Sequence, residues 1–250
     1  MAQSGTSKLP EWMKVVPDVA ALDRAAADEF ARCAAGAIRE RDRFTVALSG
    51  GNTPRAVYEL LASEYQAALA WEKSFFFFGD ERHVPPEDAA SNYRMAKESL
   101  LSRAPIPPQN VHRIQAELDA ERAAGQYEET LKAFFRLENG ELPRFDLVML
   151  GMGEDGHTAS LFPGTEALQE TARLAVANRV EKLGTERITL TLPVLNAAVE
   201  VMVIIAGENK AEILNRIVHS RGTAEFPIQL VRPKNGRLLW LVEQQAAKFI

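Results

Sequence analysis

Residues 145–164 read FDLVMLGMGEDGHTASLFPG, and their reading decides the fold. The apolar run Phe145–Leu150 has the length and composition of a buried strand. It breaks into a loop with glycines at 151, 153 and 156 that carries Asp155 and His157. In an open α/β sheet, the end of such a strand is where ligands bind. Gly151-Met-Gly153-Glu-Asp-Gly156 also matches the G-x-G-x-x-G dinucleotide pattern. That fingerprint needs a full helix after the turn, its N-terminus facing a pyrophosphate. Pro163-Gly164 follows within a few residues, which leaves room for only a short helix. Glu154 and Asp155 would also set negative charge where the pyrophosphate belongs. The catalytic reading of the loop therefore ranks above the cofactor reading, and no cofactor is expected.

Outward from this loop, the same design recurs twice. Arg43–Leu48 reads as a strand that ends in Ser49-Gly50-Gly51-Asn52-Thr53-Pro54, ahead of a helical run from Arg55 to about Ala70. A double glycine turns the backbone sharply and presents N–H groups, and Ser49, Asn52 and Thr53 add hydroxyl and amide groups. A donor-rich turn before a helix suits a phosphate, although a plain capped helix start has the same look. Ala47-Leu-Ser49-Gly-Gly51 also resembles a nucleophile elbow, a reading ranked below the phosphate cradle. Phe75–Phe78 reads as a second fully buried strand, closed by Gly79-Asp80-Glu81-Arg82-His83. Such a charge run is commonly just a solvated turn.

The rest of the pattern predicts helices over 18–42, 94–101, 117–137 and 211–219. Strands are expected at 174–180, 187–192, 201–206, 228–231 and 238–242, with a short terminal helix after them. Strands alternating with helices imply a Rossmann-like, doubly wound α/β fold: a mainly parallel sheet with helices on both faces. The polar turns after Leu48, Phe78 and Leu150 then share one edge of that sheet, which favours a single site.

The chain has 250 residues, 46% of them hydrophobic and 25% charged, with a formal charge of −5. One domain spanning 1–250 is expected, since no linker or repeat divides it. The acidic balance and the lack of a basic stripe argue against nucleic acid. No apolar run reaches the length of a membrane span, and the N-terminus lacks a signal-peptide core. Cys33 is the lone cysteine, in an Ala-rich helical pattern that suits packing; a cytoplasmic location follows. His83, His112, His157 and His219 show no zinc-ligand spacing, so no metal is expected.

Taken together, LSGGNTP, FFFFGDERHVP with SNYRM, GMGEDGHTASLFPG, ERITLTLPVLN, IAGENKAEIL and LWLVEQQAA resemble the 6-phosphogluconolactonases. The central loop is also similar to that of the glucosamine-6-phosphate deaminases, where an acidic residue follows Asp-Gly-His. Here Thr158-Ala-Ser-Leu follows, which tips the resemblance to the lactonases. Departures are small: Asn52 where Ser is frequent, and Glu243 where Asp is common.

The resemblance implies hydrolysis of a sugar-phosphate lactone by a monomer or weak homo-oligomer. His157 is the expected general base, since imidazole titrates near neutrality. Asp155 either orients it or holds the sugar. Arg82 and backbone N–H groups of Gly153–Gly156 are the candidates for the developing oxyanion. Ser49, Gly50, Gly51, Asn52, Thr53, Arg187 and Lys210 would meet the phosphate, with Asp80 also contacting substrate. The competing expectations are a deaminase-like isomerase with Asp80 as base, a non-catalytic sugar-phosphate sensor, and a serine hydrolase using Ser49.

Overall fold

The computed structural model describes residues 9–220 and 224–250. The opening stretch 1–8, part of the segment searched above for a leader, lies outside them. In chain order the elements are β1 (Met13–Val16), α1 (Val19–Arg41), β2 (Phe44–Leu48), α2 (Asn52–Glu64), β3 (Ser74–Phe78), β4 (Asp80–Arg82) and α3 (Asn92–Ala96). They continue with α4 (Ala120–Phe135), β5 (Leu147–Leu150), β6 (Ala175–Val180), β7 (Thr185–Leu190), α5 (Leu192–Asn196), β8 (Glu200–Ile205), α6 (Ala211–His219) and β9 (Arg237–Glu243).

Six strands form an all-parallel sheet in the order β1-β9-β8-β5-β2-β3, flanked by helices. Its central strands are covered on both faces, so Phe44–Leu48 and Leu147–Leu150 are buried at every position. That is why they read as continuous apolar runs rather than as alternation. The long helices are bounded by their own sequence. Asp18 caps α1 by accepting from Ala21 N at 2.8 Å, and Asp42 closes it in the left-handed region at φ 56°. Asp119 and Arg136 do the same for α4.

The order also fixes where a ligand belongs. From β2 the chain steps outward to β3, then returns to the other side of β2 for β5, β8 and β9. The winding direction reverses between β2 and β5, and a crevice opens outside the carboxyl ends of strands at such a reversal. Those two strands carry the Ser49–Thr53 turn and the Asp155–His157 loop.

Several expectations are corrected. A second sheet is present: β4, β7 and β6 pair antiparallel in the order β4-β7-β6. Residues 80–82 are therefore a strand, not a solvated turn. Gly79 is the joint between the sheets. Its N–H donates to Leu48 O at 2.8 Å and its carbonyl accepts from Leu190 N at 2.9 Å. Residues 13–16 form an edge strand whose four-residue length escaped the periodicity reading. Helix α2 starts at Asn52, three residues early, because Gly51 at φ 108° turns the backbone and stands as its N-cap. It stops at Glu64 rather than near Ala70. Residues 227–230 make a 3₁₀ turn instead of a strand, since Pro227 has no N–H for a ladder and Gln229 N donates to Phe226 O. Residues after Glu243 form turns rather than a helix, and no helix directly follows His157: Thr158 and Leu161 form a β-bridge.

Cys33 is buried among the core residues, and burial pushes its thiol well up. No helix among the described residues is long and apolar enough to cross a membrane.

Candidate active site

Loops leave the carboxyl ends of β3, β2, β5 and β8 side by side. Leu48 is in register with Phe78, and Leu150 with Val203, so the loops emerge at nearly one level. The loop after β5 folds on itself. Gly153 N donates to His157 O at 2.8 Å, and Gly156 N donates to Gly153 O at 3.1 Å. Thr158 Oγ1 donates to Gly151 O at 2.8 Å. Gly156 sits at φ 73°, and a Cβ there would come within 2.7 Å of Phe226. Gly153 lies under the imidazole of His157, where any Cβ would overlap the ring.

This tight turn brings His157 and Asp155 together. Asp155 Oδ1 lies 2.5 Å from His157 Nδ1 and accepts from His157 N at 3.2 Å. A carboxylate on Nδ1 fixes the ring's orientation and leaves Nε2 for other work. Phe162 stacks on the other face of the ring, with centroids 4.1 Å apart. Burial pushes the Asp155 carboxyl up. The imidazole, the His157 N–H and the Lys182 ammonium outweigh that and hold it below its ordinary value. Lys182 Nζ is 3.6 Å from Asp155 Oδ2. Together Gly153, Glu154, Asp155, His157, Phe162, Lys182, Leu183 and Lys210 line a cleft of about 300 Å³.

The Asp80 turn joins this loop through buried polar bonds, and the Ser49–Thr53 turn packs against Asn92 beside it. Asp80 is 7% exposed. Its Oδ2 accepts from Ser160 Oγ at 2.6 Å, three residues beyond His157. Its Oδ1 and backbone carbonyl accept from Asn92 Nδ2 at 3.3 and 3.0 Å. The Asn92 amide in turn lies over Gly50, filling the space a Cβ would take. One serine and one asparagine thus tie three turns into a single unit. Ser49 is fixed separately: Tyr58 Oη accepts from Ser49 N and donates to Ser49 O, both at 2.9 Å. The Ser49 hydroxyl donates only to Gly50 O, at 3.4 Å, and no imidazole bonds to it among the described residues.

Glu81 anchors the segment on which Arg82 sits. It is 2% exposed. Its Oε1 accepts from Arg82 N at 2.8 Å and Asn92 N at 2.6 Å; Oε2 accepts from Tyr93 N at 2.7 Å and Ser91 Oγ at 3.0 Å. Burial pushes the Glu81 carboxyl up, against the pull of those N–H donors. Arg82 stands directly across from Arg187 in the β4–β7 ladder. Like charges in register repel. Burial, then the Arg82 charge, lowers the Arg187 pKa, and Arg187 Nε is buried with no hydrogen-bond partner among the described residues. Such a guanidinium pair is a place for an anion.

Of the residues expected from sequence, Gly153, Asp155, His157 and Lys210 share the cleft. Ser49–Thr53, Asp80, Arg82 and Arg187 lie outside its lining, with the Ser49–Thr53 turn and Asp80 joined to it through Asn92 and Ser160. The N–H groups of Gly153 and Gly156 are spent within the loop, so neither is left to meet an oxyanion. Lys182, Phe162, Ser160 and Asn92 were not singled out. Asn92 lies in the SNYRM stretch, but nothing in a lysine on a short turn marks it as part of a site. The grouping with metal-type donors among the described residues is Glu29, Cys33 and Glu200. It lies at the amino end of β8, where Arg32 and Arg237 pair with both carboxylates.

The model of the family described as glucosamine-6-phosphate isomerases/6-phosphogluconolactonase matches residues 17–240. The chain belongs to this isomerase/lactonase family. Within the family, it is 42% identical to a 6-phosphogluconolactonase of Nostoc sp., over 94% of this chain and 96% of that protein. It is 40% identical to the human 6-phosphogluconolactonase, over 92% and 89% of the two chains. Among solved family structures, a 6-phosphogluconolactonase from Trypanosoma cruzi superposes with a TM-score of 0.85 at 30% identity, covering 94% of this chain and 95% of that one. A monomeric glucosamine-6-phosphate deaminase superposes with a TM-score of 0.78 at 18% identity, a likeness of fold alone.

Proposed function

We propose that this protein hydrolyses 6-phospho-D-glucono-1,5-lactone to 6-phospho-D-gluconate, acting in the cytoplasm as a single-domain monomer or weak homo-oligomer. The observation that carries the mechanism is the Asp155–His157 pair, held at the crevice where the sheet reverses direction. Homology to lactonases at 40–42% identity supports the substrate.

A δ-lactone is an activated ester, so water and a general base open it without a covalent intermediate. Water oxygen attacks C1 while His157 Nε2 takes its proton, and Asp155 stabilises the resulting imidazolium. The carbonyl becomes an oxyanion, for which Arg82 is the donor. Collapse breaks the bond from C1 to the ring oxygen, which receives the proton back from His157. The turn 49–53 and the cations Arg187 and Lys210 meet the phosphate. Asp80 serves this reaction from behind, by joining the turns, because its carboxylate is occupied by Ser160 and Asn92. That occupancy, with Thr158 following His157, counts against an isomerase that uses Asp80 as base.

Release of acid from fresh 6-phosphogluconolactone, measured against buffer alone, tests the reading. Acceleration by the wild-type protein is expected. Binding without acceleration would leave only a sugar-phosphate-binding protein. Gly153→Ala gives a second check. Its methyl would displace the imidazole, so turnover should fall about 100-fold or more, as expected when a base is misplaced, with the melting temperature nearly unchanged. Full activity in that variant would show that the ring position seen here is not the working one.

A further inference from the structure

We propose that Lys182, on the turn between β6 and β7, reads the substrate's phosphate together with Lys210 and so sets selectivity for phosphorylated lactones. This rests on the lactonase reading above and adds a specificity residue to it. Lys182 sits in the single 3₁₀ turn Glu181–Leu183, closed by Gly184 at φ 60°. Its side chain is 75% exposed, yet it lines the same cleft as His157 and Lys210. Among the described residues its ammonium makes no hydrogen bond; its one partner is Asp155 Oδ2 at 3.6 Å. That carboxylate already gives its other oxygen to His157 at 2.5 Å. An ion pair so long and so exposed binds weakly, and leaves the ammonium free to turn to a stronger anion.

The charge of the cleft calls for such a group. Without Lys182 its ionic lining is Glu154 and Asp155 against Lys210, besides His157. Within the cleft lining, which Arg187 does not share, a phosphate that is largely dianionic at neutral pH would meet two carboxylates and one ammonium. Lys182 restores the balance from the opposite element. Lys210 follows β8, while Lys182 hangs from the second sheet, so the two reach the cleft from different sheets. Compact ammonium groups on flexible stems are well suited to a phosphate approached in this way.

The test compares Lys182→Met and Lys182→Arg with wild type on two substrates, 6-phosphogluconolactone and unphosphorylated glucono-1,5-lactone. For Lys182→Met, a tenfold or greater rise in KM on the phosphorylated lactone is expected. Its kcat/KM on the unphosphorylated lactone should fall several-fold less, so that the preference for the phosphorylated lactone drops. Lys182→Arg should recover most of the loss. Equal losses on both lactones, an unchanged KM, or an effect confined to kcat would overturn the proposal. The last outcome would make Lys182 a partner of Asp155 rather than of substrate. Failure of wild type to accelerate lactone opening would instead overturn the lactonase reading itself, so the two failures are distinguishable.

Discussion

Replacing His157 by alanine is expected to lower turnover of 6-phosphogluconolactone by roughly two to four orders of magnitude, the usual contribution of a positioned general base. KM should change far less, because the phosphate is held by other residues. The lactone also opens unaided, so the difference is read after subtracting buffer. Asp155→Asn is expected to reproduce part of the loss, since an amide neither holds Nδ1 as the donor, which leaves Nε2 as the acceptor, nor stabilises an imidazolium. The pH dependence follows from the direction of the Asp155 shift. Its folded carboxyl lies below the ordinary value, so it stays ionised well beneath the range in which imidazoles titrate. Its contribution to stability is present above the unfolded carboxyl's pKa and is lost as pH falls through the lower folded value. Asp155 therefore stays an anion through the acidic limb of the rate profile down to the carboxylate range. A His157→Ala protein with turnover close to wild type would remove the base from the mechanism.

The largest expected loss of stability comes from Glu81→Ala. This carboxylate is 2% exposed and accepts from three backbone N–H groups and the Ser91 hydroxyl. Truncation strands those donors in the interior, at about 1–3 kcal/mol for each one left unpaired. Some relaxation is allowed for, and a total of about 3–5 kcal/mol is expected, the range found when one side of a buried charged contact is removed. For a chain of this size that is a fall in melting temperature of roughly 6–20 °C. Glu81→Gln keeps one acceptor oxygen and should lose less. Because Arg82 N is one of the donors, both variants should also weaken catalysis. A Glu81→Ala melt within a degree or two of wild type would show that the bonded cluster contributes little.

Much of this site is legible in the sequence, and for identifiable reasons. Strands covered on both faces spell themselves as apolar runs, so 44–48, 75–78 and 145–150 were readable together with the polar turns that end them. The doubly wound fold followed from their alternation with helices. Two strands of the smaller sheet are legible at 174–180 and 187–192, but their separate pairing was hidden because Asp80-Glu81-Arg82 carries none of the alternation of an ordinary half-buried strand. Its charges are accommodated by partners distant in sequence, such as Ser160 from 80 residues away. Local pattern does not reveal such bonds. The same reason concealed Asn92, whose work is to join Gly50 to Asp80. Residues 228–231 misled because Ile-Gln-Leu-Val looks like a strand, while Pro227 and the bond from Ile228 N to Gly156 O commit the segment to bracing the loop of Asp155 and His157.

Gly79 places the two layers one residue apart, with its N–H in one and its carbonyl in the other. The proton-transfer pair belongs to the loop after β5, in the large layer, whereas Lys182 is suspended from the small one. The 181–184 hairpin tip can therefore change in length without moving the backbone of the loop that carries Asp155 and His157. If Lys182 reads the substrate as proposed, selectivity and chemistry reside on separately supported layers.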